Sequence, residues 1–108
     1  MAFSNVFQQP AVSADASFRV LARNTGQPRA RLGMAISRQV DRRAVARNRL
    51  KRIIRESFRR HYLAVNAGLA VDVVVLPRRG ASSICNKRLF EQLSRHWRKI
   101  DERVSKAN

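Results

Sequence analysis

Acidic residues are scarce in this 108-residue chain: seven Asp and Glu stand against 23 Lys and Arg, for a net charge of +16. The seven are scattered (Asp15, Asp41, Glu56, Asp72, Glu91, Asp101 and Glu102), and no two are spaced to hold paired metal ions for phosphodiester cleavage. Cysteine is nearly absent. Cys85, alone in "SSICNK", rules out an internal disulfide, argues against a thiolate metal site and suits a reducing compartment. Long apolar runs are missing too: "LAVDVVVL" is broken by Asp72 and falls short of the ~18 residues of a membrane span. The opening "MAFSNVFQQP" has neither the basic start nor the apolar stretch of a secretion signal. The two histidines, His61 and His96, lack a companion nucleophile or metal-ligand spacing, so no convergent catalytic set is visible. Repeats and low-complexity segments are also absent. Together these absences lead to the expectation of a soluble, cytoplasmic protein that does no chemistry of its own.

What remains is a core and a great deal of positive charge. At 44% hydrophobic, the chain can pack one domain over 1–108, and it is too short to divide. A charge of +16 makes a polyanion the natural partner: RNA, DNA or an anionic membrane surface. The alternative is a basic surface that serves solubility alone.

Hydrophobic periodicity sets out the elements. Residues 2–9 place Phe3, Val6 and Phe7 on one face of a short helix that Pro10 ends. "SFRVLAR" alternates, with Phe18, Val20 and Ala22 on one side, while Leu21 on the other implies cover on both faces. "NTGQP" at 24–28 is a turn, and "RLGMAIS" alternates again, so the two runs predict an antiparallel hairpin. Asp41 is a candidate helix N-cap. From there Ala46, Leu50, Ile53, Ile54, Ser57 and Phe58 fall on one helical stripe, and the helix is expected to reach about Asn66 before Gly68 stops it. "AVDVVVLPR" reads as a strand buried on both faces, parallel to the strand before the helix. Leu89, Phe90, Leu93, Trp97, Ile100 and Val104 keep helical spacing to the end, with Ser82 or Asn86 as the cap. The expected fold is an α+β two-layer sandwich: a small mixed sheet, a central basic helix, a short N-terminal helix and a C-terminal helix.

The central helix carries the functional signal. Residues 42–60 hold nine basic residues and one acid, half of the chain's net charge. Arg47, Lys51, Arg55 and Arg59 recur every four residues, and each such like-charge pair costs about 0.2–0.5 kcal/mol. Arg52–Glu56 and Glu56–Arg60 are expected to offset part of this. A retained local conflict of this kind marks a functional surface. Arginine's planar fork matches phosphate oxygens, and the amide of Asn48 can both donate and accept. The predicted RNA-binding set is Arg42, Arg43, Arg47, Asn48, Arg49, Lys51, Arg52, Arg55 and Arg59. Trp97 lies in the last apolar stripe and is expected in the core, and His61 as a surface or helix-dipole group.

Arg47-Asn48-Arg49 followed by "LKRIIRESFR" closely resembles the hallmark of the bacterial ribonuclease P protein family, an Arg-Asn-Arg motif in a central helix. "FSNVF" resembles the family's aromatic N-terminal helix, and "RLGMAIS" and "VDVVVLPR" the strands on either side of the motif, so the likeness spans nearly the whole chain in order. Gln39 departs from a common second lysine, and Pro10 from a common glycine. The resemblance implies a left-handed crossover, where packing rules alone favour the right-handed one. It implies an accessory subunit of the endoribonuclease that removes the 5′ leader of precursor tRNA, with the chemistry carried by an RNA subunit. The protein would bind that catalytic RNA and the leader, broaden substrate use and aid metal-dependent catalysis by the RNA. It would bind no cofactor by itself, magnesium being required by the holoenzyme, and neither DNA nor membrane would be a partner. Phe3, Phe7 and Phe18, with Arg38, would line a leader cleft, although spacing alone favours the core for the three rings. A ribosomal-protein-like RNA-binding module is the alternative function, and a helix-turn-helix DNA binder a weaker third, because flanking strands do not suit it.

Overall fold

A strand that is apolar on both faces needs a neighbour on each edge, and "VDVVVLP" occupies such a position. The computed structural model describes residues 10–24, 29–65 and 71–107. In chain order they form β1 (Ala11–Ala14), β2 (Phe18–Asn24), β3 (Arg31–Met34), α1 (Ala44–Phe58), a π-helical turn (Arg59–Val65), β4 (Val71–Pro77), a 3₁₀ turn (Ala81–Ser83) and α2 (Asn86–Ala107). The four-stranded sheet runs β1-β2-β4-β3. β4 is antiparallel to β2, with Phe18 opposite Pro77, and parallel to β3, with Met34 opposite Val75. The expected α+β architecture and parallel strand–helix–strand unit are both present.

The hairpin expected between 17–23 and 31–37 does not form, because β4 inserts between the two strands. A β2–β3 hairpin would have left the most apolar strand on an edge, with a row of unpaired backbone groups. β2 pairs instead with β1, which sequence reading missed. Asp15 organises that hairpin: its Oδ1 accepts the N–H groups of Ser17 and Phe18, each at 2.8 Å. The expected N-terminal helix at 2–9, most of the 24–28 turn and the Gly68 stop lie outside the described residues.

Strand alternation divides the apolar residues between two faces. Phe18, Val20 and Ala22 of β2 and Val71, Val73 and Val75 of β4 meet Leu50, Ile54 and Phe58 of α1 and Leu89, Leu93, Trp97 and Ile100 of α2. Leu21 and Val74 form a second cluster with Val12 and Leu76, as the odd position of Leu21 implied. Trp97 is fully buried, and its Nε1–H donates to Ser57 Oγ at 2.8 Å, which explains a serine in the apolar stripe of α1. Asp72 is fully buried and paired bidentately with Arg31, its register partner on β3. A buried carboxylate requires such a partner, and the arginine fork satisfies both oxygens.

Both ends of α1 differ from expectation. Asp41 is not the N-cap. Arg43 holds that position (φ −79°, ψ 124°), and Asp41, two residues earlier, accepts the Arg43 N–H at 2.8 Å. At the other end regular α-helix stops at Phe58 and the wider π turn follows. The smaller angular step of a π turn lets consecutive residues reach one partner. His61 Nε2 lies 2.7 Å from Asp101 Oδ2, and the Tyr62 hydroxyl donates to Asp101 Oδ1 at 2.8 Å. Burial first, and the neighbouring carboxylate second, push the Tyr62 phenol far above its ordinary range, so it remains a donor.

Candidate nucleic-acid interface

The stripe that α1 buries decides what it shows. With Ala46, Leu50, Ile53, Ile54, Ser57 and Phe58 turned into the core, Asn48, Lys51, Arg52 and Arg55 project from the far side. They line one shallow groove together with Val45, an apolar side chain left 71% exposed. None of the four polar side chains has an intramolecular hydrogen bond or ion pair among the described residues. The expected Arg52–Glu56 pair is not made: Glu56 takes Arg59 at 2.6 Å and Arg60 at 3.1 Å. A glutamate pairs better with cations C-terminal to it on a helix, which explains the choice. Arg59 above all, and Arg60 with it, holds the Glu56 carboxyl down to about 2. Arg59, predicted as an RNA contact, therefore already has a partner in the free protein.

The two motif arginines turn back onto the protein. Arg47 Nη1 donates to the carbonyls of Asp41 and Arg42, at 2.9 and 2.8 Å. Arg49 reaches across to the segment that precedes α2. Its Nε donates to Asn86 Oδ1 at 2.8 Å, its Nη1 to the Ser82 carbonyl at 2.9 Å and its Nη2 to the Ile84 carbonyl. Neither Ser82 nor Asn86 is therefore free to serve α2 as expected: Asn86 receives Arg49, and Ser82 Oγ donates to Asp41 Oδ2 at 2.7 Å.

These ties build a second groove, of about 800 Å³, lined by Arg38, Gln39, Asp41, Arg42, Arg43 and Arg79. Its one carboxylate is occupied: Arg43 first, then Ser82, hold the Asp41 carboxyl far below the usual range. Arg38 and Arg42 are exposed there, and Arg79 joins from the turn after β4, where Gly80 adopts φ 95°. Sequence reading missed Arg79; the signal was "PRRG", two cations on a glycine turn directly after the buried strand.

Of the predicted cleft residues, Phe3 and Phe7 lie outside the described residues and Arg38 is exposed. Phe18 requires correction: its ring is fully buried, edge-on to His96 at 6.2 Å, because it occupies an inward position of β2. It offers no face for base stacking. Ser13, His96 and Asp15 stand in a line that mimics a nucleophile–base pair, with Ser13 Oγ 2.6 Å from His96 Nδ1 and Asp15 Oδ2 2.9 Å from Nε2. Ser13 and His96 are buried, however, and burial outweighs Asp15 in setting the imidazole below its ordinary pKa. The cluster ties β1 to α2 and has no access for a substrate. Among the described residues, no three His, Cys, Asp or Glu side chains converge as metal ligands. No helix among them is long and apolar enough to cross a membrane.

Comparison with known proteins agrees with this arrangement. Residues 1–101 match the ribonuclease P family profile. The ribonuclease P protein component of Chromohalobacter salexigens is 43% identical over 104 residues, covering 90% of this chain and 79% of the relative. That of Pseudoalteromonas atlantica is 34% identical over 105 residues, covering 97% and 85%. Among solved structures, the RNase P protein from Thermotoga maritima superposes with a TM-score of 0.72 at 31% identity over 86% of each chain. The Staphylococcus aureus RNase P protein gives 0.75 at 27% identity, over 90% of this chain and 86% of that one. With a basic helix on a small mixed sheet and a family match over almost its full length, the chain belongs to the ribonuclease P protein family, accessory subunit of the tRNA-processing endoribonuclease and companion of its RNA.

Proposed function

We propose that the protein docks on ribonuclease P RNA through the exposed side of α1 and contributes to binding the 5′ leader of precursor tRNA. One observation carries the reading: Asn48, Lys51, Arg52 and Arg55 stand together on a helix, and their side chains have no partner among the described residues. Lys51 and Arg55 are like charges one turn apart, a conflict that phosphates would relieve. Phe3 and Phe7 are the aromatics we assign to the leader, since stacking on rings supports sequence-tolerant binding of single strands. Arg38 is the adjoining cation. Magnesium we assign to the RNA: five carboxylates, of Asp15, Asp41, Glu56, Asp72 and Asp101, already accept from protein donors. The relatives are bacterial, and the site of action we propose is the cytoplasm.

Reconstitution with a bacterial ribonuclease P RNA tests this. At low magnesium the protein should stimulate cleavage of precursor tRNA strongly, and alone it should cleave nothing. Affinity for the RNA should fall with salt at a log–log slope of roughly −3 to −5, as four to six neutralised phosphates require. Cleavage by RNA-free protein, or a slope near zero, would overturn the proposal.

A further inference from the structure

We infer that Arg49 is a positioning residue, and that the phosphate contact its place in the motif suggests is made instead by Arg79, beside Arg38 and Arg42, in the arginine-lined groove. The inference rests on the proposed RNA-docking role of α1 and names a second part of that surface.

A guanidinium presents its N–H groups along two edges, each suited to a pair of oxygens. Arg49 directs Nε, Nη1 and Nη2 at three acceptors, all between residues 82 and 86. All three nitrogens, and three of the five N–H groups, are thereby engaged within the protein, so no edge keeps both of its donors for a phosphate. Arg47 differs, since only its Nη1 is committed.

The three bonds of Arg49 fix the segment before α2 against α1. Ser82, held through its carbonyl by Arg49, donates its hydroxyl to Asp41, and Arg79 Nε approaches the Gln39 carbonyl at 3.4 Å. The loop at 38–43 and the turn at 78–83 are thus the two walls of one groove, and Arg49 anchors the second wall. Arg38 and Arg42 on one wall and Arg79 on the other face the same space. With the one carboxylate there already neutralised by Arg43 and hydrogen-bonded by Ser82, the groove is left with surplus positive charge. A phosphodiester of the RNA backbone is the ligand it fits, because paired arginine forks recognise such oxygens while releasing counterions.

The full-length protein should be titrated with ribonuclease P RNA across a range of KCl concentrations. Asn86→Ala removes an acceptor of Arg49 and changes no charge. It should weaken binding roughly three- to tenfold, the worth of one charged hydrogen bond, with the salt slope unchanged. Arg49→Lys and Arg49→Gln should weaken binding with the same unchanged slope, and Arg49→Gln/Asn86→Ala should be no worse than Arg49→Gln. Arg79→Gln should flatten the slope by about one. The inference is overturned if Arg49→Gln flattens the slope by about one while Asn86→Ala binds like wild type. It is equally overturned if Arg79→Gln leaves the slope unaltered. Thermal melts accompany each variant, and if Arg49→Gln does not fold, Asn86→Ala and Arg79→Gln decide the matter between them. The triple variant Lys51→Gln/Arg52→Gln/Arg55→Gln separates this idea from its parent. If it too keeps the wild-type slope, the docking role of α1 itself fails; if it flattens the slope while Arg79→Gln does not, only the groove assignment fails.

Discussion

The two ends of the central helix carry similar charge and use it in opposite ways. At the N-terminal end the helix dipole is positive, no acid occupies the first turn, and Arg42, Arg43, Arg47 and Arg49 crowd it. Each cation so placed is unfavourable by about 0.3–1 kcal/mol where exposed. At the C-terminal end the dipole favours cations, and there Arg59 and Arg60 share Glu56 while His61 and Tyr62 share Asp101. At the first end a single carboxylate, Asp41, stands against this cluster and surplus charge remains for an anion; beyond Phe58 each of these cations shares a carboxylate. The lesson is that charge density along a sequence does not map a binding surface until the pairing of each cation is known.

Three experiments would break or sharpen that contrast. The largest effect belongs to Lys51→Gln/Arg52→Gln/Arg55→Gln, which should lower affinity for the RNA by roughly a hundredfold or more and flatten the salt slope by about three. Arg59→Gln/Arg60→Gln removes nearly as much charge, yet should change binding by only about threefold, since those cations are already paired. Equal losses in filter binding or anisotropy would erase the distinction.

A moderate effect concerns the balanced end alone. Asp101→Asn leaves the buried Tyr62 hydroxyl and His61 with a weaker acceptor, and should cost about 1–3 kcal/mol of stability in denaturant melts. RNA affinity at low salt should rise slightly or stay constant, because net positive charge increases. A large loss of binding in a folded Asp101→Asn protein would place that end in the interface.

The smallest effect is in acid. The folded-state pKa of Glu56 lies near 2, below the ordinary value of about 4.3. Its contribution is therefore complete above the ordinary value and is lost as pH falls toward 2. Asp41, lowered chiefly by Arg43, adds in the same direction at the other end. Melting temperature should fall between pH 5 and pH 2.5, and Glu56→Gln should make that fall shallower. A fall equally steep in the variant would mean that the pair contributes nothing in solution.

Periodicity makes both helices legible in the sequence. All six residues of the predicted α1 stripe are buried, as are Leu89, Leu93, Trp97, Ile100 and Val104 of α2. The apolar run of β4 likewise announced its burial. What could not be read is what depends on long-range partners. Strand order required knowing that β4 enters between two strands that look like a hairpin. β1 is four residues long, and its Ser13 is buried only because His96, far along the chain, is there to receive it. The π turn has no periodic signature, so periodicity carries the helix through it as if regular. For the site, the outward face of α1 followed from the inward one. The inward commitment of Arg49 did not, because its acceptors are two backbone carbonyls and one amide more than 30 residues away. Phe18 shows the reverse error, a ring assigned to the surface by resemblance although its alternation with Val20 and Ala22 already pointed inward.

The strand order also sets a schedule. β3 has no partner until β4 exists, and between them lies the whole of 35–70, the basic helix included. Closing such a loop costs roughly 3 kcal/mol beyond the constant term before any pairing is gained, and non-local pairings of this sort slow folding. During synthesis, then, the described elements made before β4 are one hairpin, an unpaired strand and a strongly cationic helix whose sheet is still incomplete. That segment is made beside ribosomal RNA, a polyanion, at the stage when its apolar stripe is still uncovered. Only the arrival of 71–77 completes the sheet on which the helix lies, so the last of the four described strands turns a loosely held cationic segment into a surface of defined shape.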